Sequence, residues 1–140
     1  MKATALSGQL KSLSLTPGAV FLGPFEGVDH EKFIVIAGMD DKRVYACTVL
    51  INSNINPFIM KRQHMLDCQV LLKSEQYSFL SHDSFVNCAQ PISANLQHFM
   101  DDEYKYCGLL NKDDLENVIE SIKRSGVLTE EVLREYFCSK

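Results

Sequence analysis

Apolar residues fall in short, closely spaced runs over the first two-thirds of the chain and take up a wider period in the last third. Val20-Phe21-Leu22 follows Pro17-Gly18, a pair that punctuates a chain. Phe33 to Ala37 is unbroken, rich in β-branched and aromatic residues, and of strand length; Val44 to Ile51 is a second such run. Between them Gly38 to Arg43 is polar and contains glycine, which predicts a hairpin loop. Gln69–Leu72 and Ser84–Cys88 predict two further strands. Short strands parted by turn signals, with few helical patterns among them, predict a small closed or nearly closed barrel.

From Leu115 the period changes. Leu115, Val118, Ile119 and Ile122 stand at i, i+3, i+4 and i+7, one stripe of an α-helix. Asn111 suits the N-cap, Asp113 and Asp114 the positive first turn, Lys123 and Arg124 the last turn, and Gly126 the stop. Leu110 and Leu115 then occupy the positions of a hydrophobic staple. Thr129 predicts a second cap, followed by a short helix whose apolar face is Val132, Leu133, Tyr136 and Phe137. The expectation is one domain over residues 1–140, mainly β with C-terminal helices: a β-barrel body at 15–98 and an acidic helical region at 99–140.

Composition adds limits. With 140 residues, 46% of them hydrophobic and 23% charged, the chain can bury one core without a disulfide or metal staple. Fourteen basic against eighteen acidic side chains leave a net charge of −4, and the whole acidic surplus lies in residues 99–140. That third repels phosphate, whereas the neutral remainder has room for a local basic spot. Five cysteines occur without a CxxC pair, and no pair of close ligands recurs, so neither a zinc site nor a cofactor is expected. Ala3 to Leu10 is weakly apolar and broken by serine, unlike an export signal. No apolar run approaches the roughly eighteen residues of a membrane helix. A reduced, cytoplasmic protein without membrane contact is the expectation.

Most reactive-looking groups have a plain structural reading. Cys88, near His82, is the best cysteine nucleophile, yet strand cysteines usually pack as small hydrophobes. Asp40-Asp41 reads as a solvated turn. His82-Asp83-Ser84 has the letters of a triad, but three consecutive residues cannot take up its geometry, so a turn leading into a strand is expected. Phosphate chemistry goes further. Lys61, Arg62 and His64 cluster in a loop after the amide-rich Asn52–Pro57 segment and could grip a phosphodiester backbone; the alternative is a solvated basic loop. His30 and Lys32 stand just before one predicted strand and Ser53 just after the next. In a hairpin those two ends share one end of the sheet, so the three groups should converge. RNA cleavage without a metal needs a base for the 2′-hydroxyl, an acid for the leaving oxygen and cations for the phosphorane, and these residue types supply such roles.

The order of pieces resembles the PemK/MazF family of toxin-antitoxin growth inhibitors. Leu15 to Phe21, with its Pro17-Gly18 turn, resembles the start of that family's first barrel strand. His30-Glu31-Lys32-Phe33-Ile34-Val35-Ile36 looks like its Lys-Arg-Pro segment and the strand that follows. Val49-Leu50-Ile51-Asn52-Ser53 is similar to its apolar strand ending in Ile-Thr-Ser. Ser84 to Ile92 looks like its strand ending in Asp-Gln-Ile, and Gly108 to Leu115 like the segment that leads into its terminal helix. The resemblance implies an SH3-like barrel, usually a homodimer, that binds an antitoxin and often cleaves single-stranded RNA without a metal or cofactor. It places a catalytic Thr/Ser at Ser53, with Asn52 one residue away. The family's arginine has no counterpart, for His30, Glu31 and Lys32 occupy that segment. The expected site is therefore His30, Lys32 and Ser53, with Asn52, Lys61, Arg62 and His64 holding RNA. The alternatives are a non-catalytic barrel that binds a protein partner and a barrel that binds RNA without cutting it.

Overall fold

The computed structural model describes residues 13–25 and 27–137; Ala3 to Leu10 and Cys138 lie outside the described residues. Six strands, β1 (Ala19–Gly23), β2 (Lys32–Met39), β3 (Tyr45–Asn52), β4 (Gln69–Leu72), β5 (Ser84–Asn95) and β6 (Lys105–Leu109), form one antiparallel sheet. Its order is β4-β5-β3-β2-β1-β6. The sheet curls into a half-barrel. Two short helices, α1 (Pro57–Met60) and α2 (Gln63–Leu66), lie between β3 and β4, and α3 (Lys112–Ser125) and α4 (Glu130–Phe137) follow β6. Among the described residues, no helix is long and apolar enough to cross a membrane.

The central strands read as unbroken apolar runs because both their faces are covered. Val35, Ala37, Val49 and Ile51 point to one side, where Val118 and Ile122 of α3 complete the core. Ile34, Ile36, Phe21 and Ala46 point to the other, closed by Leu96 and Phe99 of a 3-10 turn at Leu96–Met100. Side chains alternate along a strand, so consecutive apolar residues can all be buried only where the sheet is covered on both sides.

The helix signals act as expected. Asn111 Oδ1 accepts the Asp114 N–H at 2.8 Å, and Gly126, in the left-handed region at φ 74°, ends α3. Thr129 Oγ1 accepts the Val132 N–H at 3.2 Å at the start of α4. Helix α4 comes down on Gly38 of β2. A Cβ there would lie 2.6 Å from the Phe137 ring and 2.7 Å from the Tyr136 carbonyl oxygen, so the bare backbone is what admits the helix.

Several boundaries differ from expectation. Strand β2 runs on through Gly38 and Met39, which shrinks the hairpin loop to Asp40–Val44. The Asp40 carboxylate accepts the Val44 and Tyr45 N–H groups at 2.8 and 3.2 Å, a turn-forming role. Strand β5 continues seven residues beyond Cys88 to Asn95, passing Pro91 where its pairing with β3 is irregular and the missing N–H is tolerated. The segment expected to be helical from residue 99 contains β6, which pairs with β1. The β3–β4 connection holds α1, capped by Asn56 through the Ile59 N–H at 2.9 Å with Pro57 in the first turn.

The loop between β4 and β5 is fastened at two places. Asp83 Oδ1 accepts the Ser74 N–H at 2.9 Å, which closes the loop on itself. Tyr77 donates its hydroxyl proton to Asp114 at 2.5 Å and accepts the Asn111 N–H at 3.0 Å, which ties the loop to the first turn of α3. Burial, helped by the Asp114 hydrogen bond, pushes the Tyr77 phenol up to about 12 from its usual 10. The folded state thus holds this proton more tightly than the unfolded chain does. Its stabilising effect is fully present below about pH 10 and is lost as pH rises through about 12. Urea midpoints from pH 8 to 12 should fall more steeply for the wild type than for Tyr77→Phe, and at pH 8 the variant should be about 1 kcal/mol less stable. Parallel curves would remove Tyr77 from the alkaline transition.

Candidate functional site

Antiparallel pairing determines what meets at each end of the sheet. The registers Phe33↔Ile51 and Asn52↔Phe85 put the start of β2, the end of β3 and the start of β5 side by side. A cleft of about 220 Å³ opens at this rim. His30, Lys32 and Ser53 all line it, as the hairpin argument requires, with Glu31 between the first two. Its opposite wall is Leu80, Ser81, His82 and Ser84, from the fastened loop and the first residue of β5.

Lys32 is the half-buried member. Its Nζ donates to Asn52 Oδ1 across the β2–β3 pair. Loss of hydration lowers its pKa below the ordinary lysine value. His30 and Ser53 are exposed, so their polar ends are open to a ligand. Asn52 thus acts as the acceptor that aims the lysine, a different role from the RNA contact expected of it. The rim presents one ammonium, two imidazoles and three hydroxyls, with one carboxylate, Glu31, among them. Such a set can donate hydrogen bonds to a phosphodiester and move protons at its ester oxygens.

Lys61, Arg62 and His64 are not brought to the cleft. The Arg62 guanidinium lies 3.6 Å from the centroid of the Phe58 ring and donates to the Phe58 carbonyl at 2.9 Å. His64 Nε2 donates to the Ser125 carbonyl at 2.9 Å, joining α2 to the end of α3. Lys61 is exposed at the end of α1. The segment expected as a loop is a pair of short helices, and two of its three cationic or titratable side chains, Arg62 and His64, are bonded within the fold.

The remaining candidates resolve as structure. Cys88 is fully buried, and burial raises its thiol pKa well above the usual cysteine range, so it packs as a small hydrophobe, the reading expected of a strand cysteine. The Asp83 carboxylate faces Ser74 and not His82, so no triad exists in the His82–Ser84 turn. Among the described residues, no group of three or more His, Cys, Asp or Glu lies together in a way that could hold a metal ion. A second cleft of about 340 Å³, on the sheet face of Phe99, is lined by Phe25, Thr48, His98 and Tyr104 and holds none of the expected site residues.

Sequence reasoning missed the opposite wall of the first cleft. Ser84 was legible as a strand start, but which strand β5 pairs with was not. Without that pairing His82 has no address.

No protein-family model and no curated protein sequence matches the chain. Solved structures do. The fold is similar to that of "Mycobacterium tuberculosis toxin MazF-mt6", with a TM-score of 0.55 over 79% of this chain and 98% of that one, at 13% sequence identity. With its curled six-stranded antiparallel half-barrel followed by C-terminal helices, the chain has a MazF/PemK-like fold.

Proposed function

We propose that the chain is a toxin-type endoribonuclease that cuts single-stranded RNA at the β2–β3–β5 rim without a metal. The observation that carries this reading is the shared cleft of His30, Lys32 and Ser53. The MazF-like fold adds support. In this reading the His30 imidazole takes the proton of the 2′-hydroxyl, and the 2′-oxygen attacks phosphorus. The Lys32 ammonium, aimed by Asn52, stabilises the charge that develops on the phosphorane. The Ser53 hydroxyl donates a hydrogen bond to a non-bridging oxygen. A homodimeric state, a cytoplasmic location and an antitoxin partner belong to the same proposal.

The test is purified protein incubated with single-stranded RNA in EDTA. Wild type should cleave, and Ser53→Ala should cleave about tenfold more slowly, the usual cost of one hydrogen bond in the transition state. No cleavage by wild type across a set of RNA sequences would sink the enzyme reading. A second reading, a non-catalytic module that binds a protein partner, is favoured by Phe58 and Met60, which stand exposed on α1. Induced expression in a bacterial host separates the two. Growth arrest that Ser53→Ala relieves supports the nuclease, and harmless accumulation supports the module.

A further inference from the structure

We infer that His82 is the general acid of the cleft, protonating the 5′-oxygen that leaves when RNA is cut; the inference rests on the cleavage reading above. Transfer of phosphorus to the 2′-oxygen moves two protons, one off the attacking hydroxyl and one onto the departing alkoxide, and one imidazole at a single site cannot do both at once. The cleft holds a second imidazole, contributed by the far wall.

The surroundings of His82 suit that task. Its Nδ1 donates to the Asp83 carbonyl oxygen at 3.0 Å, with Ser84 Oγ at 3.4 Å. A carbonyl oxygen can only accept, so Nδ1 keeps its proton and Nε2 becomes the atom that gains and loses one. Ser84 Oγ in turn donates to the His82 carbonyl at 3.1 Å, and Ser84 is itself buried at the start of β5. The ring is thereby held from a strand end rather than from a free loop. The Asp83 carboxylate is bonded to Ser74, so it does not compete for the ring. The charged and titratable groups that share the cleft with His82 are His30, Glu31 and Lys32.

The step balances without a co-reactant. The O2′–P bond forms as the P–O5′ bond breaks, the 2′-proton goes to His30, and the Nε2 proton of His82 goes to O5′. The products are a 2′,3′-cyclic phosphate and a 5′-hydroxyl. Exchange with water then returns both imidazoles to their starting states.

The test uses two RNA oligonucleotides of one sequence, the second with sulfur in place of the bridging 5′-oxygen at the cut site. A thiolate leaves without being protonated. His82→Ala should slow cleavage of the oxygen substrate about 10²–10⁴-fold. On the sulfur substrate it should cut within a few-fold of wild type. His82→Asn, checked for an unchanged melting temperature, guards against a folding defect. Equal losses on both substrates, or no loss on either, overturn the role of His82 and leave cleavage at the rim standing. A wild type that cuts neither substrate overturns the cleavage reading, and this inference with it.

Discussion

A chain carrying both His30→Ala and Lys32→Met should cut RNA roughly 10⁴-fold more slowly than wild type, or worse. The two changes remove different contributions. Loss of the His30 imidazole takes away the base, worth about 10²–10⁴-fold, and loss of the ammonium takes away the cation that meets the phosphorane, worth about 10²–10³-fold. Both side chains sit at the rim and neither belongs to an apolar core cluster, so the melting temperature should hardly move. The single variants differ in pH dependence. Activity that needs a charged Lys32 falls as pH rises, and because desolvation lowers its pKa, that fall begins below the range of a free lysine. Lys32→Met should lose this limb. Lys32→Arg should restore only part of the rate, since a planar guanidinium cannot take the same place against Asn52. Wild-type rates in the double variant would show that cleavage, if it occurs, happens elsewhere on the molecule.

Phe21→Ala should be the most damaging single change to the fold, costing about 3–5 kcal/mol. Phe21 is 0% exposed at the centre of the second core face. Its ring centroid lies 5.1 Å from that of Phe99 and 5.6 Å from that of Tyr106. Truncation removes the apolar contact, leaves a cavity, and unseats both the 3-10 turn at Leu96–Met100 and the neighbouring strand β6. For a chain of this size the melting temperature should drop by roughly 10 °C or more. A drop of only a degree or two would mean that the Phe99 face can collapse into the gap. Phe21→Leu, which keeps most of the volume, should lose far less.

What was legible in the sequence follows from how local each signal is. Strands β2 and β3 announce themselves because a strand buried on both faces must be apolar at nearly every position, as Phe33–Ala37 is and as Ala46–Ile51 is apart from Thr48, whose hydroxyl bonds the Ile92 carbonyl. The bounds of α3 come from single residues acting on their own backbone: Asn111 caps it and Gly126 ends it. Strand β6 escaped notice because Lys105-Tyr106-Cys107-Gly108-Leu109 sits at an edge, half-covered, with glycine inside it. Helices α1 and α2, four residues each, are too short for any period to emerge. The site divides along the same line. His30, Lys32 and Ser53 could be gathered from the sequence because they flank one hairpin. His82 could not, because its place depends on β5 crossing to lie against β3, a long-range pairing that no local pattern records. The Lys61–His64 loop misled for the converse reason. Charge density is local, but the partners that occupy Arg62 and His64 are a ring on α1 and a carbonyl at the end of α3.

The Tyr77 tether has a mechanical consequence. The phenol holds both the carboxylate of Asp114 and the amide of Asn111, and its loop runs on through Leu80 to His82. The opening turn of α3 and the loop that leads to the far wall of the cleft are therefore joined through one hydroxyl. A change at Asp114, itself outside the cleft, has a bonded route to that wall with nothing entering between the jaws.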